Sequence, residues 1–421
     1  MSTSSETPSS GRSPKQGHTP DPGQNPEQGQ SKTQGLQLPP LSLYIHIPWC
    51  VQKCPYCDFN SHGLGRLPNQ TAPEQEYVQA LLKDLDRDLL WVQGRKLHSI
   101  FFGGGTPSLF SPQAIAEILT GVEQRIPFES DIEITLEANP GTVEQAKFEG
   151  FRQAGVNRLS IGIQSFSPDK LKRLGRIHDR DDAIRAAESA RNAGFTRFNL
   201  DLMHGLPEQS EAEALADLQQ AIDLQPDHLS WYQLTLEPNT AFYQAPPPLP
   251  DDDTLWQIQQ AGQQLIAQAG FRQYEVSGYS LPGSEARHNL NYWQFGDYLG
   301  IGAGAHGKLT LLPDSDGENR IVRTSKYRSP KQYLEAINPL SQSQAIEQDD
   351  LPLEFFMNAL RLKQGVPEAM YQTRTGQSLQ AIDSVLGRLR QQQLLEQGTG
   401  RLCTTAEGFL YLNAVLESFF D

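Results

Sequence analysis

The chain has four cysteines in 421 residues. That is too few, and too unevenly placed, for a disulfide framework: three fall between positions 50 and 57, and the fourth is Cys403. Basic residues are also scarce, 35 Lys and Arg against 50 Asp and Glu, for a formal net charge of −15. Broad contact with a nucleic-acid backbone needs a basic surface, so this balance disfavours it. No apolar run approaches the length of a transmembrane span. The beginning of the chain lacks aromatic side chains and offers only Met1, Leu36 and Leu38 as large apolar residues before Pro39. Such a segment cannot bury enough surface to offset its ordering entropy, and 1–39 is expected to be a disordered tail. It has no apolar h-region, and its acids (Glu6, Asp21, Glu27) balance its bases (Arg12, Lys15, Lys32), which argues against a secretory signal or a transit peptide. What these exclusions leave is an acidic, soluble protein of a reducing, cytoplasmic compartment.

From Leu41 onward, short apolar, β-branched runs alternate with longer helical patterns, the signature of βα units around a parallel sheet. Strands are expected at Ser42–Ile47, Ser99–Phe102, Ile132–Glu137, Arg158–Ile163, Phe198–Met203 and Ser230–Leu236. Helices are expected at Pro73–Trp91, Ser111–Gln124, Val143–Ala154, Arg180–Ala193 and Glu211–Leu224, the last four starting near short polar caps. This is an α/β fold, a partial (β/α)6 barrel over 40–245, whose site should gather at the C-terminal strand ends. Ala245-Pro-Pro-Pro-Leu-Pro250 reads as a linker into an α+β extension over 246–345. There, Asp251–Ala269 reads as a helix, Gln273–Tyr279 as a strand and Gly296–Gly307 as a Gly-rich loop region. Residues 346–421 read as a small helical, winged-helix-like module: helices over Pro352–Leu362 and Ser378–Gln392, a β-ribbon over Leu394–Cys403 and a last helix over Ala406–Phe420. Its acidic close (Glu407, Glu417, Asp421) favours packing or partner docking over nucleic-acid binding.

The cysteines carry the chemistry. Cys50, Cys54 and Cys57 lie in Tyr44-Ile-His-Ile-Pro-Trp-Cys-Val-Gln-Lys-Cys-Pro-Tyr-Cys57. Three thiolates this close can hold three irons of a [4Fe–4S] cube and leave the fourth iron open to a non-protein ligand. A tetrahedral zinc site usually takes a fourth ligand at short spacing, and the nearest candidates, His46 and His62, lie outside the usual pattern. Polar residues follow at successive strand ends: Gly103-Gly104-Gly105-Thr106 after the second, Glu137 closing the third, Gln164 after the fourth and Asp201 near the end of the fifth. Each could be a solvated loop residue by itself; together with Arg176 they suit a zwitterion and a ribose.

The C-x3-C-x-aromatic-C spacing, with Tyr56 before the last cysteine, resembles the radical S-adenosylmethionine (SAM) superfamily. That resemblance implies a cluster whose open iron chelates SAM and delivers the electron that cleaves its C–S bond. Tyr44-Ile-His-Ile-Pro, Gly-Gly-Gly-Thr-Pro107, Leu136-Glu-Ala-Asn-Pro140, Ile161-Gly-Ile-Gln-Ser-Phe166, Leu174-Gly-Arg-Ile-His178 and Asn199-Leu-Asp-Leu-Met-His-Gly-Leu-Pro207 together resemble the oxygen-independent coproporphyrinogen III oxidase group. The resemblance implies Tyr44, Tyr56, Gly104, Gly105, Thr106, Glu137, Gln164, Arg176 and Asp201 as SAM contacts. Tyr44 and His46 share a strand face. One departure matters. The oxidases have a fourth cysteine two positions after the last cluster cysteine, and here that position is Phe59. In addition, His288-Asn-Leu-Asn-Tyr-Trp293 resembles the His-Asn-x-x-Tyr-Trp signature of a heme-chaperone branch, which implies His288 in holding heme beside Tyr292, Trp293 and Tyr298. His204 and His306 are alternative second heme ligands or walls of the SAM pocket, and Cys403 reads as a buried thiol. The resemblance implies a heme carrier with a [4Fe–4S] cluster, SAM and heme, passing heme to an acceptor protein; the alternative is a coproporphyrinogen oxidase. An electron-donor protein, a peripheral membrane contact and the oligomeric state are left open by the sequence.

Overall fold

A computed structural model describes residues 35–64, 72–141, 145–312 and 319–420, and residues 35–421 form one compact unit. Most of the expected tail, residues 1–34, lies outside the described residues. Its last residues do not: the Gln37 N–H donates to the Thr373 carbonyl at 2.8 Å, and Leu36 packs against the core of the C-terminal module.

Six parallel strands form the centre: β1 (Leu41–Ile47), β2 (Leu97–Gly104), β3 (Phe128–Ala138), β4 (Arg158–Gln164), β5 (Phe198–His204) and β6 (His228–Gln233). They pair in chain order, each parallel to the next. Their apolar residues are buried on both faces, as a sheet covered by crossover helices requires. Helices Pro112–Glu123, Arg180–Asn192 and Glu211–Asp223 start where short side chains satisfy the free amides of the first turn. Asp179 with Asp182, and Ser210 with Glu213, form reciprocal capping boxes.

The sheet extends beyond this barrel on both edges, to twelve strands among the described residues. Past β6, the segment expected as one strand at Gln273–Tyr279 is two, β7 (Arg272–Gln273) and β8 (Gly278–Ser280), which turn back on each other and close that edge antiparallel. On the other side the expected Gly-rich loop is two strands. β9 (Asp297–Ile301) pairs parallel with β1, with Leu41 opposite Asp297, and β10 (His306–Leu311) folds back against it. Glycine is required there by close approach: a Cβ on Gly300 would lie 1.9 Å from the His306 carbonyl oxygen. β11 (Arg320–Lys326) and β12 (Leu340–Ala345) continue antiparallel.

The extension is built into the barrel by buried charge. Asp297 accepts from Arg95 at 2.7 Å, from Lys308 at 3.0 Å and from the Thr310 N–H at 2.7 Å. Lys326 on β11 donates to Asp84 at 2.7 Å and Asp88 at 2.8 Å, both on the first crossover helix, Glu74–Asp88. The Pro-rich stretch expected as a linker is docked as well, since Pro248 accepts from the Glu208 N–H at 3.0 Å and Leu249 packs beside Met203, Leu206 and Leu234. In the C-terminal module, the expected last helix is two, Ala406–Leu410 and Leu412–Glu417, broken at Tyr411. Its ribbon is a Leu395–Thr404 bridge and a short pairing of Val366–Pro367 with Arg401–Leu402. Among the described residues, no helix is long and apolar enough to cross a membrane.

Candidate functional site

The parallel strands carry their C-terminal ends to one mouth, where a cavity of about 530 Å³ opens. Cys50, Cys54 and Cys57 line one wall. Cys50 lies just beyond β1, after Pro48 and Trp49, and is buried, while the other two thiols are half-exposed. No three Cys, His, Asp or Glu side chains among the described residues converge closely enough to hold a single metal ion. The three thiols line the same cavity, and a cube with one iron per thiolate would take each of them separately. Ser61 Oγ lies 3.6 Å from Cys57 Sγ, and Arg176 Nη1 reaches Cys54 Sγ at 3.7 Å. Burial, with the neighbouring thiols, pushes the Cys50 thiol up to about 11.

Opposite the thiols stand the strand-end residues. Gly104, Gly105, Thr106, Glu137, Gln164, Arg176, Asp201 and Tyr56 all line this cavity. The loop after β2 is pinned beneath the cysteine segment: the Gly105 N–H donates to Ile47 at 2.7 Å and the Thr106 N–H to Trp49 at 2.7 Å. Glu137 accepts from the Gly104 N–H at 3.2 Å. Arg176 is held by Asn139 at 2.8 Å and by the Gly162 carbonyl at 2.6 Å. Asp201 accepts from Asn199 at 2.7 Å and Ser160 at 3.0 Å. Gln164 ends β4 with φ +71°, in the left-handed region that costs a side-chain-bearing residue energy, and its side-chain Oε1 accepts from the Tyr232 hydroxyl at 2.8 Å. Burial, and next the Asp201 carboxylate, push the Glu137 carboxyl up to about 8. Asp201 and Glu275, also on this wall, are likewise raised, chiefly by burial. A cavity with buried acids and few cations is poised for a positively charged ligand.

Several lining residues were missed by sequence reasoning. Asn139 and Tyr232 were legible in principle, one inside the quoted Leu136–Pro140 motif and the other two residues into the expected sixth strand. Glu275 and Ser277, from the turn between β7 and β8, close the cavity's far side and gave no local signal.

Two expected residues lie elsewhere. Tyr44 does not line the large cavity; its hydroxyl meets His46 Nδ1 at 3.0 Å, and both face a second cavity of about 340 Å³ beside it. His288 lines neither. Its ring is 5% exposed, stacked on Phe101 at 4.4 Å and edge-on to Tyr292 at 4.4 Å. Burial, with the Arg158 charge, pushes its imidazole down to about 3. From the same helix, Arg287–Trp293, it is Asn289 and Trp293 that reach the large cavity. His204 is buried against Trp231 at 4.2 Å, whereas His306 is exposed and lines the second cavity. Cys403 is half-buried and remote, its thiol donating to Lys363 and Thr404 carbonyls at 3.4 Å.

Residues 44–221 match the Radical SAM superfamily, and residues 346–411 match the HemN C-terminal domain. The heme chaperone HemW of Escherichia coli is 54% identical over 384 residues, covering 91% of this chain and 99% of that protein. The chain belongs to the HemW family. The HemW protein of Haemophilus influenzae is similar too, 53% identical over 387 residues, 91% of this chain and 98% of that one. A solved structure titled as the coproporphyrinogen III oxidase HemN from Escherichia coli, a radical SAM enzyme, shares the fold. Its TM-score is 0.74 at 22% identity over 91% of this chain and 90% of that one. The radical SAM α/β fold is therefore common to this HemW-family chain and to HemN.

Proposed function

We propose that the protein is a heme carrier that hands heme to an acceptor protein and bears a SAM-ligated [4Fe–4S] cluster. The observation that supports this best is the large cavity, where three thiols face a ring of buried acceptors and one buried guanidinium. Cys50, Cys54 and Cys57 would each hold one iron. The donor set fits SAM: Glu137 and Asp201 offer carboxylates to cationic and hydroxyl groups, Arg176 offers a charge to a carboxylate, and the glycine loop offers free backbone. When bound, cluster and SAM supply the superfamily's reductive cleavage of a sulfonium. The residues of this chain bind, orient and shield; Glu137, whose carboxyl is raised to about 8 in the folded protein, would give up its proton as it accepts from a cationic group.

Carrier is preferred over oxidase because Phe59, 61% exposed at the cavity rim, occupies the position of the oxidases' additional cysteine, and because the relatives similar over the whole length are named heme chaperones. The acidic composition fits a protein-to-protein transfer in the cytoplasm. The test is anaerobic reconstitution followed by iron analysis, EPR with and without SAM, heme titration followed by the Soret band, and incubation with coproporphyrinogen III, SAM and reductant. Cluster assembly that fails in Cys50→Ala, a SAM-dependent EPR change, stoichiometric heme uptake and no protoporphyrinogen are expected. Efficient porphyrinogen turnover would restore the oxidase reading.

A further inference from the structure

Heme needs a slot, a ligand and a counter-charge, and the signature histidine supplies none of them directly. The second cavity offers a histidine and an arginine beside aromatic rings. It is lined by Tyr44, Tyr292 and Tyr298, by Phe59, which it shares with the large cavity, and by Asp58, His306 and Arg328. Tyr292 and Tyr298 meet edge to face at 4.4 Å, which fixes an aromatic wall. Arg328 is exposed and makes no ion pair among the described residues.

The histidines can be taken one at a time. His46 faces the cavity, but both ring nitrogens are engaged, by Tyr44 at 3.0 Å and by the Asn60 carbonyl at 2.9 Å. His98, His178 and His228 are bonded to Glu129, to the Ile163 carbonyl, and to Asn199 and Tyr274, respectively. His62, His204 and His288 line neither cavity; His18 lies outside the described residues. Among the described histidines, His306 alone faces a cavity with its ring free of a hydrogen bond. Resting on the carrier reading above, we propose that heme docks in this second cavity with His306 as axial ligand, its face against the tyrosine wall and Phe59, and a propionate on Arg328. His288 then acts as a positioning residue: it packs behind Tyr44 and Tyr292, at 6.3 and 4.4 Å between ring centroids, and holds the wall in place.

The experiment is heme titration of the full-length, cluster-bearing protein and its variants, with the iron–sulfur spectrum recorded first as a check of folding. The parent should show a Soret shift of a histidine-ligated heme. His306→Ala should lose that shift and bind at least tenfold more weakly, with exogenous imidazole restoring the spectrum. Arg328→Gln should weaken binding several-fold without changing the Soret position. His288→Phe, which keeps a ring in the stack but removes the nitrogens, should keep the parental Soret position. If His306→Ala binds with parental affinity and spectrum, or if His288→Phe loses the shift with its cluster intact, the assignment is overturned while the carrier reading stands. If the parent takes up no heme, both fall.

Discussion

A Cβ at Gly105 would lie 2.4 Å from the Trp49 carbonyl oxygen and 2.9 Å from the Trp49 nitrogen. Both are backbone atoms, so the clash cannot be relieved by a rotamer. Trp49 immediately precedes the first cluster cysteine, and its carbonyl also receives the Thr106 N–H. Gly105→Ala should therefore push the glycine loop and the cysteine segment apart. Overpacking costs about 1–3 kcal/mol, and weakening one or two buried backbone hydrogen bonds adds about 1 kcal/mol. A loss of about 2–4 kcal/mol corresponds, at about 2 °C per kcal/mol for a chain of this size, to a drop of about 4–8 °C in melting temperature. Calorimetry of the cluster-free protein reads that drop. Iron per chain after reconstitution should fall as well, because Cys50 is displaced. A variant melting within about 1 °C of the parent, with full iron content, would refute the argument that this glycine keeps the two segments in contact.

Glu137 keeps a proton in the folded state to about pH 8, whereas an unfolded chain releases it near about 4.3. The folded form then binds more protons across that window, so stability falls as pH rises through it, and Glu137→Gln should flatten the profile of the SAM-free protein in denaturant titrations between pH 5 and 8. An unchanged slope would show that another group dominates. Lys326→Met leaves Asp84 and Asp88 facing one another in the interior and should cost about 3–5 kcal/mol, read as a lower denaturation midpoint. Pairing it with Asp88→Asn should recover part of that loss, and a single-variant loss below about 1 kcal/mol would show that the pair is not desolvated.

The six central strands were legible because each is a short apolar, β-branched run bounded by turn residues. The site was legible because its residues fall just after those runs. What escaped was long-range. Leu41 opposite Asp297 joins residues far apart in sequence, and the glycines that permit Gly300 to lie against His306 look locally like loop composition. Expected loop and observed strand differ because glycine there answers a crowding problem, not a turn. His288 shows the same limit: the motif draws attention to that helix, but only the packing of Phe101, Tyr44 and Tyr292 shows that its histidine is enclosed. The last helix broke at Tyr411, with φ −101° and ψ 37°, which no periodicity signals.

Asn60 stands in the loop that follows the cluster cysteines. Its side-chain amide donates to the Ala303 and Arg328 carbonyls at 2.9 Å each, and its own carbonyl receives His46 at 2.9 Å. One carboxamide thus straps the cysteine loop to the turn before His306 and to the backbone of Arg328. Were heme to dock beside His306 as proposed, the two sites would share this strap. Whatever free energy occupation of the first lends to the loop is, by reciprocity, lent back to the first when the second is filled.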